Sequence, residues 1–171
     1  MNFADIPTFP RASYEIDVPF SMLETTLNGF QREYDLDLLP DFQRGHVWTI
    51  TQQIRFVEYI LKGGESGKTL LFNHSSWHDP VQKKGEFVIL DGLQRLTAAR
   101  KFMANEIPAF GHLRREFSGR MRFMVSFKFR VHSLPDRASV LRYYLDLNGG
   151  GTVHSASELD RVKALLDKEL Q

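Results

Sequence analysis

Asp91, Gln94 and Arg95 follow directly on four apolar residues, Phe87 to Leu90, in a run that reads Phe-Val-Ile-Leu-Asp-Gly-Leu-Gln-Arg-Leu-Thr-Ala. The apolar residues fit a buried strand, Asp91-Gly92 a turn, and Leu93 to Asn105 the spacing of a helix. A carboxylate, an amide and a guanidinium therefore sit at a strand's carboxyl end and in the first turn of the next helix. A helix N-terminus offers unpaired N–H groups and a partial positive charge, which favour an anion. An arginine there opposes the helix dipole, so two readings stay open: Arg95 meets a phosphate, or it pairs with a surface carboxylate. Asp91 is a candidate cap of that helix.

A second polar cluster is Asp41-Phe42-Gln43-Arg44, with His46 and Trp48 close behind. Gln43 and Arg44 carry planar arrays of donors suited to phosphate or a base edge. Phe42 and Trp48 read as core anchors for this loop. A third feature is basic: Arg114, Arg115, Arg120, Arg122, Lys128 and Arg130 interleave with Phe117, Phe123, Phe127 and Phe129. Such a pattern suits nucleic acid, but a half-buried strand alternates in the same way, and the strand is preferred.

Other chemistry is less well supported. Gly64-Glu65-Ser66-Gly67-Lys68-Thr69 is not a P-loop. The position that needs the first glycine is Lys62, and a helix precedes the segment where a strand is required. His46, His74, His78, His112, His132 and His154 show no ligand spacing on one helix. No Gly-x-Ser-x-Gly element occurs. The chain has no cysteine, which rules out thiolate chemistry and fits a reducing cytoplasm.

The elements that must position these groups can be read along the chain. Tyr14 to Val18 alternates as a strand, and Ser21 with Glu24 predicts a capping box before a helix to about Glu33. Leu36 to Leu39 is a short apolar run. Thr51 to Lys62 has helical spacing, stopped by Gly63-Gly64. Thr69 to Phe72 is a strand, followed by a polar loop holding Trp77 and His78. Met121 to Val131 is the longest alternating run and predicts a strand. Ser133, Pro135 and Asp136 open a helix to about Leu147, and Asn148 to Thr152 is a flexible turn. Ser155 and Glu158 cap a last helix. The order predicts an α/β (mixed α+β) chain, a small mixed sheet with packed helices, organised as a single domain over residues 1–171.

Composition agrees: 171 residues, 42% hydrophobic and 25% charged, suit one globular domain. A net charge of +1 supplies no global attraction for nucleic acid, so any such binding needs a local patch. No stretch approaches the roughly 18 apolar residues of a membrane span, and the first residues lack a signal-peptide layout.

Three segments together resemble a known family. They are Leu39-Pro40-Asp41-Phe42-Gln43-Arg44 with Val47-Trp48, Leu90-Asp91-Gly92-Leu93-Gln94-Arg95-Leu96-Thr97, and Leu147-Asn148-Gly149-Gly150 with Glu158-Leu159. In that order they resemble the N-terminal domain of GmrSD-type restriction endonucleases, of the ParB/sulfiredoxin-like superfamily, over about residues 14 to 165. Gly92-x-x-Arg95-x-x-Ala98 also matches the phosphate-contacting element of ParB-like domains. The resemblance implies a mixed α/β fold that binds a nucleoside triphosphate, usually with Mg²⁺, and in several members hydrolyses it. It implies that Asp91 assists metal or water, that Gly92 admits close backbone approach, and that Gln94 and Arg95 hold phosphate while Gln43 and Arg44 complete the pocket. One departure is Leu93, where the family has a glutamine, which bears on hydrolysis more than on binding. Full-length relatives carry a further domain or partner, often a His-Asn-His nuclease. This chain resembles the short stand-alone forms found in phages. The leading expectation is a triphosphate-binding domain in DNA modification, restriction or phage counter-defence. The alternatives are a DNA-binding module acting through Arg44, Arg95 and the basic strand, or a protein–protein inhibitor of a defence-system protein.

Overall fold

Phe127, Phe129 and Val131 alternate with Lys128 and Arg130, the period of a strand with one face buried. In the computed structural model, which describes residues 2, 6, 9–43, 45, 47–77, 87–149 and 156–170, that pattern becomes the strand Ser126–His132. The chain runs β1 (Tyr14–Pro19), α1 (Leu23–Tyr34), α2 (Ile50–Leu61), β2 (Thr69–Asn73), β3 (Val88–Asp91), α3 (Leu93–Met103), β4 (Ser126–His132), α4 (Arg137–Gly149) and α5 (Ala156–Glu169). The strands form one mixed sheet in the order β1-β4-β2-β3. β1 and β4 are antiparallel, β4 and β2 parallel, and β2 and β3 antiparallel. The mixed α+β architecture is the one the sequence predicts.

Both faces of the sheet are covered. Phe72, Ile89, Phe127, Phe129 and Val131 pack with Leu23 and Leu27 of α1 and Leu93, Leu96 and Ala99 of α3. On the other side Val88 and Leu90 pack with Val140, Leu141 and Tyr144 of α4 and Val162 of α5. β3 is thus apolar on both faces, which is why Phe87 to Leu90 shows no alternation. Its outer edge is closed as well. Asp37 donates its N–H to the Phe87 carbonyl at 2.7 Å and accepts from the Ile89 N–H at 3.2 Å, so the Leu36–Leu39 run shields the strand from stray pairing.

Several boundaries differ from the sequence reading. The Ser21/Glu24 capping box does not form: Phe20–Met22 is a 3₁₀ turn, and no side chain caps α1. Glu24 instead receives the fork of Arg100 at 2.6 and 3.0 Å, a charge-assisted pair stronger than a cap to a neutral N–H. The capping box lies at Thr49 and Gln52, ahead of α2. The Met121–Val131 strand is shorter, because β1 ends at Pro19 opposite Ser126 and the Val125 N–H turns back to the Arg122 carbonyl at 3.0 Å. The loop after β2 is not simply polar. Trp77 stacks on Tyr34 and meets Tyr14, Phe30 and Phe87 with ring centroids 5.1–5.8 Å apart. α3 stops at Met103 and α4 runs on through Gly149. His78, His154, Ser155 and Gly150 to Thr152 lie outside the described residues. Among the described residues, no helix is long and apolar enough to cross a membrane.

Candidate functional site

The strand–helix junction is built on one distorted strand end. Leu71 faces Asp91 and Phe72 faces Ile89, so β3 carries one extra residue at this step. Bulges of this kind re-aim side chains beside functional sites. Gly92 follows at φ +103°, and a Cβ there would come within 2.2 Å of Leu70 Cδ2. Only glycine fits that backbone and that gap.

Gly92, not Asp91, is the N-cap residue of α3, and no side chain caps the helix. The first intrahelical bond is from the Leu96 N–H to the Gly92 carbonyl at 2.9 Å. The N–H groups of the opening turn are therefore left without a capping side chain, the arrangement that favours an anion.

Arg95 turns back under the strand. One nitrogen, Nη1, donates to the carbonyls of Gly67 and Thr69, each at 2.7 Å, and Nη2 pairs with the Asp91 carboxylate. The carboxylate pairing read from the sequence thus exists, with Asp91 as the partner. A guanidinium has five N–H groups. The described contacts use three, leaving two for a further acceptor. The arginine side chain is 17% exposed and the aspartate 51%, so the pair opens to solvent on the Asp91 side.

Gln94 and Gln43 hold the neighbouring loop. Gln94 Oε1 accepts from the N–H groups of Val47 at 2.8 Å and Trp48 at 3.0 Å, and its Nε2 donates to the Gly45 carbonyl at 3.0 Å. Gln43 Nε2 donates to the carbonyls of Ile89 and Leu90 at 3.3 and 3.2 Å, while its Oε1 accepts from the Tyr144 hydroxyl at 3.1 Å. Arg161 donates to the Gln43 carbonyl at 3.3 Å. Phe42 is buried against Tyr144 and Trp48 packs on Phe56, so both aromatics anchor the loop. Gln43, Asp91, Gly92, Gln94 and Arg95 thus gather around the end of β3. Arg44 and His46 lie outside the described residues.

Nothing local in the sequence signals the carbonyls of Gly67 and Thr69, or Tyr144 and Arg161, all of which reach this region through long-range packing. Tyr143 also senses it. Burial pushes its phenol above the ordinary value, with Arg130 opposing and the Asp91 charge adding to the rise.

Among the described residues no three His, Asp or Glu side chains converge on one point. Asp91 brings one carboxylate, already paired with Arg95, which does not fit a divalent ion held by the protein alone. One carboxylate does fit a Mg²⁺ that arrives on a substrate's phosphates. Leu93 is 7% exposed and packs in the core, so the first helical position brings no polar side chain. The glycine turn at residues 64–68 runs into β2 and not into a helix. The sequence suggests a solvated lysine in this turn, but Lys68 is 14% exposed and bonds Glu65 at 3.0 Å and the Met124 carbonyl at 3.2 Å. In the basic strand, Lys128 pairs across to Asp17 at 3.4 Å and Arg130 to Glu15 at 2.8 Å. That half of the basic pattern is a strand neutralised by its neighbour.

No curated protein and no solved structure matches the chain. The family model of the GmrSD restriction endonuclease N-terminal domain matches residues 23–130, from the start of α1 almost to the end of β4. The matched span contains Gln43, Asp91, Gly92, Gln94 and Arg95. β1, α4 and α5 fall outside it, and with them the Leu147–Gly150 and Glu158–Leu159 part of the resemblance. With well over half of its length so matched, and its strand–glycine–helix junction inside the match, the chain belongs to the family of GmrSD restriction endonuclease N-terminal domains.

Proposed function

We propose that this chain binds a nucleoside triphosphate at the β3–α3 junction and acts within restriction or phage defence, the setting of its family. The observation that carries the reading is the uncapped N-terminus of α3 beside the two uncommitted N–H groups of Arg95. A phosphate there would accept from the opening turn and from the guanidinium without displacing the Gly67 and Thr69 carbonyls. Gly92 lets the phosphate approach the backbone, and the segment that Gln94 holds at Gly45, Val47 and Trp48 forms one side of the site. Asp91 is the carboxylate available to a Mg²⁺ carried by the phosphates, which would compete with Arg95 for it. Because Leu93 is buried and apolar, the reading is one of binding first, with hydrolysis slow or absent.

Isothermal titration with each ribonucleoside triphosphate, with and without Mg²⁺, tests the proposal. Saturable heat from at least one nucleotide is expected, and silence from all of them at about millimolar concentration, near −4 kcal/mol of binding, would sink it.

A further inference from the structure

The other half of the basic pattern is not a strand. Arg114 and Arg115 lie in a short 3₁₀ turn, and Arg120 and Arg122 in the irregular segment before β4. Arg114, Arg120 and Arg122 line a groove of about 370 Å³, with Phe102, Phe110 and Phe117 supplying apolar wall. No side chain among the described residues forms an ion pair or hydrogen bond with the guanidinium of Arg114, Arg115, Arg120 or Arg122. Arg114 Nε is buried without a hydrogen-bond partner among the described residues.

The nearby acids explain this. Glu58 accepts from the Phe110 N–H at 2.8 Å and Glu116 from the Leu113 N–H at 2.6 Å, so both carboxylates serve the backbone. Lys62 adds a further cation, 5.3 Å over the Phe110 ring. Beyond the groove, the Arg122–Val125 turn puts the exposed Phe123 and Met124 against a neighbouring cavity lined by Asp17, Glu65 and Lys68. The contrast with β4 is sharp. There each cation meets an acid across the sheet; here three arginines line the groove with the half-exposed rings of Phe110 and Phe117, and no acid among the described residues is in its wall.

We infer that this groove, formed by Phe110, Arg114, Phe117, Arg120 and Arg122, is a binding site for a single nucleic-acid strand. Phosphates at each sugar with flat bases between them match arginines interleaved with exposed rings. A duplex would hide its bases from these rings, and an acidic peptide would offer the arginines carboxylates but leave the rings unstacked. The site is distinct from the β3–α3 junction and does not depend on triphosphate binding there.

The test is fluorescence anisotropy of the full chain with a labelled oligothymidylate, titrated against salt. Each phosphate contact steepens the slope of log affinity against log salt by roughly 0.7. Replacing both Arg120→Ala and Arg122→Ala should therefore flatten the slope by about 1.4 and weaken binding roughly tenfold or more at low salt. Phe117→Ala, which removes a groove ring 36% exposed, should weaken it about fivefold or more, and Phe123→Ala, outside the groove, should not. Lys128→Ala should change little. Oligouridylate competing as well as oligothymidylate would support a site for either sugar. The inference is overturned by no binding at low salt, by duplex binding as tight as single strand, by displacement with polyglutamate at equal charge, or by unchanged affinity in the arginine pair variant.

Discussion

Replacing Arg95 with alanine measures how much of the fold this side chain holds. The guanidinium donates to two backbone carbonyls, those of Gly67 and Thr69, at 2.7 Å each, from a side chain only 17% exposed. Hydrogen bonds from a charged donor are worth about 1.5–3 kcal/mol each. The ion pair with Asp91, which is 51% exposed, adds at most about 1 kcal/mol. Because one group makes all three contacts, the sum falls short of additive, and Arg95→Ala should cost about 3–5 kcal/mol. A domain of mid-range stability, about 10 kcal/mol, remains folded after that loss. Asp91→Ala should cost under about 1 kcal/mol, since the guanidinium keeps both carbonyls. Urea titration reads the difference as a shift of midpoint at constant slope. Equal costs at the two positions, or a loss under about 1 kcal/mol at Arg95, would refute the assignment of this arginine as a brace between α3 and the start of β2.

Other substitutions follow from the same geometry. Gly92→Ala should cost about 2–4 kcal/mol, from the left-handed backbone and the collision with Leu70, and a stability measurement near wild type would contradict it. Gln94→Ala should free residues 45–48, with amide exchange at Val47 and Trp48 quickening about tenfold and global stability falling by no more than about 2 kcal/mol. His74 and His132 are buried, and desolvation holds both below their ordinary value of 6.5, with Arg130 adding to the depression at His132 and Glu15 opposing it. The unfolded chain therefore takes up these protons first as pH falls through 6.5, and stability should drop on acidification by up to about 1.4 kcal/mol per pH unit per histidine. Urea midpoints measured from about pH 7 to about pH 5 would show this slope, reduced in His132→Phe.

What the sequence disclosed depended on how local the cause was. The end of β3 and the start of α3 were legible because an apolar run, an Asp-Gly step and helical spacing all lie within a dozen residues. The anchoring of Phe42 and Trp48 was legible from their size and their polar neighbours. The contacts of Gln43, Gln94 and Glu24 were not. Each is decided by a partner far along the chain, Leu90, Val47 and Arg100 respectively. A capping box at Ser21 and Glu24 was predicted on spacing alone, and a guanidinium from α3 took the glutamate. The basic pattern at residues 114–130 looked uniform in sequence, yet ladder pairing with β1 ends at Ser126 and divides it into a neutralised strand and an unpaired groove.

The central claim is that a triphosphate seats on the opening turn of α3. Backbone amide NMR of the whole chain, titrated with the tightest-binding triphosphate and Mg²⁺, tests it most directly. Saturating shifts should concentrate at Gly92, Leu93, Gln94 and Arg95 and extend into residues 45–48. Shifts that centre instead on residues 114–122, or amides at 92–95 that stay unmoved at saturation, would contradict it.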